Sequence, residues 1–270
     1  MPKRSFGYLP DPDGIYNGFH LHPASKFSLD TLPKEASIDD SAPPIWNQWI
    51  TNSCVGHGFG GAIATTAKSN KLRLDIPSPG FLYKLARTVD RVPNQDGTLP
   101  RLQDGGARPN QLVRALGEWG IPAAVELKEK EATDPEYTTQ LANHINDEPT
   151  LTQLLIASKR KLKGFNAIYS LGDLKVFEIC ESIAARYAVM GAVPAGNDAF
   201  QNFTRGVLDP TGTIPDHWIY YTAFRTVNGE KQFLMRNSWG LTDWGEDGKA
   251  WCSEAFVKMS LFNVLVARFV

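Results

Sequence analysis

Apolar residues recur at helical spacing through the first two thirds of this chain and in strand-like runs thereafter. Phe81, Leu82, Leu85 and Val89 follow Ser78-Pro79, which predicts a helix with proline in its first turn. After Gln103-Asp104-Gly105-Gly106, Pro109 opens a second helix with Leu112, Val113, Leu116 and Trp119 on one side, and Gly120 closes it. A weaker one is expected from Asp134-Pro135 through Tyr137, Leu141 and Ile145. Another runs from Pro149-Thr150 through Leu151, Leu154, Leu155 and Leu162 to a stop at Gly164. Asp173 is expected to cap a long helix carrying Leu174, Phe177, Cys180, Ile183, Ala184 and Tyr187, with Cys180 as a core thiol. From Val189 the texture changes to strands and turns. Trp218 to Val227 is rich in aromatic and β-branched residues, Asn228-Gly229 predicts a hairpin turn, and Gln232 to Arg236 returns. Ala250 to Ser253 and Phe262 to Val270 complete the strands. Helices first and an antiparallel sheet second is an α+β organisation.

Two stretches break the rhythm. Residues 1–44 are rich in proline, glycine and aspartate and read as an extended arm with turns. Phe6, Tyr8, Ile15, Tyr16, Phe19 and Phe27 give that arm reason to lie on the body. The second stretch, Cys54 to Ala67, carries Gly56, Gly58, Gly60 and Gly61, each about 1 kcal/mol poorer than alanine in an exposed helix. Only close packing offsets that, so a central buried helix is expected. The remaining divisions are 45–125, mostly helical, and 126–270, a helical connection followed by the sheet.

Composition narrows the function classes. The 270 residues are 42% hydrophobic with a net charge of −1, which gives no field suited to nucleic acid or an anionic membrane. Lys159-Arg160-Lys161-Leu162-Lys163 is basic, but cations complement a helix C-terminus, and the run reads as a solvated helix end. No uninterrupted apolar run of about 18 residues predicts a membrane span. Cys54, Cys180 and Cys252 are three thiols without a Cys-x-x-Cys pair, and Met1 to Gly7 lacks a signal-peptide pattern. Free thiols in a reducing, cytoplasmic compartment are expected, with export by another route or a place in a phage particle left open. No metal or cofactor motif is present in the sequence, and none is expected.

The candidate chemistry lies in Gln48-Trp49-Ile50-Thr51-Asn52-Ser53-Cys54. A thiol at a helix N-terminus is favoured as its thiolate, and unpaired N–H groups there can bind an oxyanion. A base and its orienter must come from elsewhere in the chain. His217 in Pro215-Asp216-His217-Trp218 and Asn237 in Arg236-Asn237-Ser238-Trp239-Gly240 are the candidates. His57, three residues after Cys54, shares its helical face and reads as a buried, satisfied histidine, with a catalytic role or a metal pair as weaker alternatives.

Gln, Cys, a distant His, then Asn-Ser-Trp-Gly in this order resembles the papain-like cysteine peptidases. The resemblance spans residues 30–260 and is densest from Asn237 to Gly248. It implies two lobes, one helical and one an antiparallel β-barrel-like sheet, with a cleft between them. It further implies Cys54 as nucleophile, His217 as base and acid, Asn237 as orienter, Trp239 as its shield, and Gln48 with the Cys54 amide as the oxyanion hole. Gly105, Gly106 and Asp216 would meet a peptide or protein substrate. Trp218, where the family usually has a small residue, would border the same cleft. Thr51 and Gln103 stand where secreted members carry a disulfide. Pro43-Pro44 upstream of Gln48 is closer to the compact bacterial and phage-type branch, whose chains lack a long propeptide. The alternatives are a papain-like binding or structural module with little turnover, and a transpeptidase or amidase using the same thiol. No inhibitor partner is implied.

Overall fold

A buried helix, α1 (Cys54–Ser69), runs through the middle of the molecule, and every one of its residues except Lys68 is buried. Its glycines make that possible. A Cβ on Gly58 would stand 2.4 Å from Trp218, and one on Gly61 would stand 2.5 Å from Tyr220. The sheet therefore approaches the helix more closely than any side chain would permit.

The computed structural model describes residues 6–11, 20–21, 28, 31–130, 134, 136–162 and 165–268. Further helices are α2 (Pro79–Asp90), α3 (Pro109–Glu118), α4 (Tyr137–His144), α5 (Leu151–Ala157), α6 (Gly172–Ala184), α7 (Asp198–Gln201) and α8 (Glu254–Ser260). The strands are β1 (His20–Leu21), β2 (Ala36–Ser37), β3 (Asn166–Ile168), β4 (Val189–Val193), β5 (Val207–Leu208), β6 (His217–Val227), β7 (Glu230–Arg236), β8 (Lys249–Ser253) and β9 (Phe262–Val266). Their order in the sheet is β1-β3-β9-β4-β6-β7-β8-β5, with β2 against β6.

The α+β organisation holds, with two corrections to the sheet. Its described strands form a mixed sheet, because β1–β3 and β5–β8 pair in parallel, and their order is an open path from β1 to β5 and not a closed barrel. It also recruits β1, β2 and β3 from before α6, so helices and strands are not cleanly sequential. One apolar cluster joins α1 (Phe59, Ile63) to Leu112 of α3 and Trp218 of β6. A second fills the far side of the sheet with Ile179, Phe233, Trp239 and Phe256.

Local chemistry explains most boundaries. Ser78 caps α2 by accepting from the Phe81 amide, and Thr150 with Gln153 forms a capping box on α5. Asn228 and Gly229 both have positive φ and turn β6 into β7. Three expectations need correction. The cap of α6 is Leu171, and Asp173 lies inside the first turn, pairing instead with Lys258. Helix α5 ends at Ala157 because Ser158 to Arg160 form a turn and the Leu162 amide is taken by the Leu116 carbonyl. The basic run is therefore no helix end. Arg160 grips Glu126 through two hydrogen bonds, at 2.6 and 2.9 Å, while Lys163 and Gly164 lie outside the described residues. Trp119 is half-exposed rather than packed. Pro135, Ile15, Tyr16, Phe19 and Phe27 also fall outside the described residues.

The candidate active site

Cys54 is the first residue of α1, and Ser53 before it occupies the N-cap position. The backbone N–H groups of Trp218, Gly7 and Val55 lie near enough to its thiol to favour the charged form. His217 is one residue before Trp218 at the start of β6. Antiparallel pairing of Tyr220 with Arg236 places the start of β6 beside the end of β7, where Asn237 follows. Two residues 20 positions apart thereby meet, His217 Nε2 lying 2.7 Å from Asn237 Oδ1. An amide oxygen can only accept, so Nε2 carries the proton, and exchange with a thiol falls to Nδ1.

Trp239 lies against this pair, its ring centroid 4.7 Å from that of His217, and both are buried. Asn237 Oδ1 also accepts from the Ser238 amide at 2.7 Å, which fixes its rotamer from a second side. Gln48 is drawn to the same corner. Its amide donates to the Ser238 carbonyl at 2.8 Å, and its Oε1 accepts from Ser238 Oγ at 2.6 Å. One N–H of its carboxamide donates to the Thr51 carbonyl at 2.8 Å. The segment before Gln48 is anchored by Arg236, which reaches Asp39 at 2.6 Å and the Pro43 carbonyl at 2.5 Å.

Burial opposes the thiolate expected at Cys54 in this covered state. Burial pushes the thiol up to about 12, overriding the three amides that favour its charge, and the Asp216 carboxylate adds to the rise. What covers it is the arm. The Gly7 carbonyl accepts from the Ala107 amide at 2.8 Å, and the Leu9 amide donates to the Ala107 carbonyl at 3.0 Å. The Tyr8 amide donates to the Asp216 carbonyl at 3.3 Å. Tyr8 stacks on Trp218, and Phe6 stands edge-on to His217 and Trp239. A Cβ on Gly7 would fall 1.6 Å from the Asn52 carbonyl oxygen, so only glycine fits there.

Gly106, with φ +98, faces the arm directly, since a Cβ there would meet the Gly7 carbonyl at 2.8 Å. Gly105 makes no such close approach. Trp218 is sandwiched between Phe59 and Tyr8 and so packs on α1 rather than walling an open cleft. Asp216 holds the loop after β4 by accepting from the Ala195 amide at 2.7 Å. Among the described residues His57 belongs to no cluster that could hold a metal ion. Its Nδ1 contacts the Ser53 carbonyl and its Nε2 contacts Tyr137.

Sequence reasoning missed how the loops around Cys54 are tied. Asp104 accepts from the Asn52 amide at 2.9 Å and from the Tyr83 hydroxyl at 2.6 Å, and Tyr83 in turn accepts from the Gly106 amide at 3.0 Å. These bonds join the neighbours of Thr51 and Gln103, the positions flagged for a missing disulfide. No local signal marks such a pairing 52 residues apart. The three cysteines are free and buried.

Comparison with known proteins agrees with the geometry. The sequence pattern described as papain family cysteine protease matches residues 131–259, a span that includes His217 and Asn237. Cysteine proteinase RD21A of Arabidopsis thaliana is 36% identical over 72 residues, which is 26% of this chain and 15% of that protein. The chain thus matches under a fifth of the length of that relative. Among solved structures, xylellain, a cysteine protease from Xylella fastidiosa, superposes with TM-score 0.72 at 19% identity, covering 98% of this chain and 97% of its own. Procathepsin L 3 of the Tenebrio molitor larval midgut gives TM-score 0.70 at 14% identity, covering 97% and 75%. The fold is papain-like.

Proposed function

We propose that this papain-like chain is a cysteine endopeptidase whose nucleophile is Cys54. The observation that supports the reading is the hydrogen-bonded pair His217 and Asn237 at the start of β6, one residue from Trp218, whose backbone acts on the thiol of the helix-opening Cys54. In the reaction, His217 Nδ1 takes the thiol proton and the sulfur attacks the scissile carbonyl carbon. The developing oxyanion is held by the Cys54 amide and the second N–H of Gln48. His217 returns the proton to the leaving amine, and water then hydrolyses the thioester by the reverse use of the same groups. Asn237 keeps the imidazole in the tautomer that makes Nδ1 the acceptor, while Trp239 excludes water from their bond.

On this reading residues 45–125 carry the nucleophile, 126–270 carry the base and its orienter, and the arm within 1–44 holds a latent form. Gly7 presents an N–H to the sulfur, not a carbonyl carbon, so the arm blocks without being cut. Once it leaves, Gly105, Gly106, Asp216, Trp218 and Trp239 line the path of a peptide. The match in length to xylellain supports the compact bacterial type. The three free thiols support a reducing compartment, and no helix among the described residues is long and apolar enough to cross a membrane.

The test is hydrolysis of a fluorogenic peptide library by the chain carrying Gly7→Ala and Tyr8→Ser, with and without Cys54→Ala. Cleavage that vanishes with the thiol supports the reading. Persistent cleavage without the thiol, or none with it, removes it.

A further inference from the structure

The hydrogen bonds around His57 all point one way. The Ser53 carbonyl only accepts, so its 2.9 Å contact fixes the ring proton on Nδ1. Nε2 of the neutral ring then accepts, and Tyr137 donates its hydroxyl to it over 3.0 Å. Thr51 Oγ1 uses its proton on the Gln48 carbonyl at 2.6 Å. Ser53 Oγ must therefore donate to Thr51 Oγ1 at 2.7 Å, and it accepts from His57 Nδ1 at 3.2 Å. The chain of donors is Tyr137, His57, Ser53, Thr51, ending on Gln48. Burial keeps the ring neutral, as the scheme needs, lowering His57 to about 4 against the opposing pull of the Ser53 carbonyl.

This chain passes the peptide that carries the Cys54 amide and ends on Gln48, the two oxyanion donors of the proposed reaction. The Ser53 carbonyl receives two donors from His57, its Nδ1 and its backbone N–H at 3.1 Å. In a trans peptide the carbonyl and the following N–H point in opposite directions, so pinning the Ser53 oxygen aims the Cys54 N–H away from the helix and at the cleft. At the other end Thr51 carries the Gln48 carboxamide on its carbonyl at 2.8 Å.

We infer that His57, held by Tyr137, is a positioning residue for the oxyanion hole, setting the Cys54 amide through Ser53 and the Gln48 carboxamide through Thr51. It touches none of the reacting atoms. The inference rests on the peptidase reading and adds to it a residue 3 positions from the nucleophile and a tyrosine 80 positions further on.

The experiment uses the full chain with Gly7→Ala and Tyr8→Ser as parent, adding His57→Asn, His57→Gln or Tyr137→Phe. An asparagine amide occupies the place of Nδ1, so His57→Asn keeps the donor to Ser53 and retains kcat within about threefold. Glutamine reaches the Nε2 position and leaves the Ser53 carbonyl without a side-chain donor. His57→Gln then loses about 10- to 100-fold in kcat with KM little changed. Its affinity for a peptide aldehyde, whose hemithioacetal oxygen occupies the hole, falls by a similar factor. Its rate of Cys54 alkylation by iodoacetamide is unchanged, because thiol activation belongs to His217. Equal kcat and aldehyde affinity in parent and His57→Gln would overturn the inference. So would losses that extend equally to alkylation, since they would signal general disruption. Should the His57 variants not fold, Tyr137→Phe decides, with a kcat loss of about threefold or more supporting the inference and none overturning it. A parent inert to both peptide and iodoacetamide would instead remove the peptidase reading itself.

Discussion

Flanked by Phe6 on His217 and Tyr8 on Trp218, Gly7 lies at the Cys54 thiol with its carbonyl on the Ala107 amide, so the arm is seated over the nucleophile in part by backbone contacts. Those contacts are available to any sequence that can lie this close, but the closeness requires glycine. A methyl on Gly7 meets the Asn52 carbonyl oxygen at 1.6 Å. Gly7→Ala combined with Tyr8→Ser should expel the arm, raise peptide turnover about tenfold or more, and bring the Cys54 alkylation midpoint well below its covered value of about 12. Initial rates and an iodoacetamide pH profile check both, and unchanged values would mean the arm does not gate the site.

Gln48→Ala should lower kcat on the order of 10²–10³-fold, the usual effect of losing an oxyanion donor. It should also destabilise the protein. Ser238 Oγ and the Thr51 carbonyl lose their partner in a buried corner, at about 1–3 kcal/mol. Urea melts run beside the kinetics separate the two effects, and a fully stable variant would show that water replaces both bonds.

Gly58→Ala tests the fit of α1 against the sheet. The added methyl would press on Trp218 at 2.4 Å, and overpacking of this kind typically removes about 1–3 kcal/mol. Because Trp218 follows His217, the variant should lose turnover as well as stability. A neutral result by thermal melting would mean β6 can move away from the helix without consequence.

His57 makes stability depend on pH. Burial depresses its folded value to about 4 from an ordinary value of 6.5, with the Ser53 carbonyl opposing the shift. The neutral ring's contribution is complete above pH 6.5 and is lost as the pH falls toward 4, because only the unfolded chain takes up the proton in that window. The loss amounts to about 3 kcal/mol. The stability difference between native protein and His57→Gln should shrink by that amount between pH 7.5 and 4.5. A constant difference would mean that His57 titrates alike in the folded and unfolded chain.

How much was legible in the sequence follows from the range of each interaction. The caps at Ser78 and Thr150, the Asn228-Gly229 turn and the glycine-rich α1 are local and were readable. The candidates Cys54, His217, Asn237 and Gln48 were legible through their order, and the structure pairs His217 with Asn237 and ties Gln48 to the neighbouring Ser238. The parallel pairings of β1 with β3 and β5 with β8 depend on contacts far apart in sequence, as does the seat of Gly7 on Ala107. Helix α8 was missed because its seven residues, between two strands, carry too short a period to distinguish from a turn. The burial that opposes a thiolate at Cys54 was hidden for a similar reason. The helix end is local, whereas the arm that desolvates it is not.

The central claim is that Cys54 is an activated nucleophile once the arm is displaced. The most direct measurement is intact-protein mass after incubation with an epoxysuccinyl peptide inhibitor, on the chain with Gly7→Ala and Tyr8→Ser and on the same chain with Cys54→Ala. One adduct on the first and none on the second is the expected result. A folded first protein without an adduct, or an adduct that survives loss of Cys54, would contradict it.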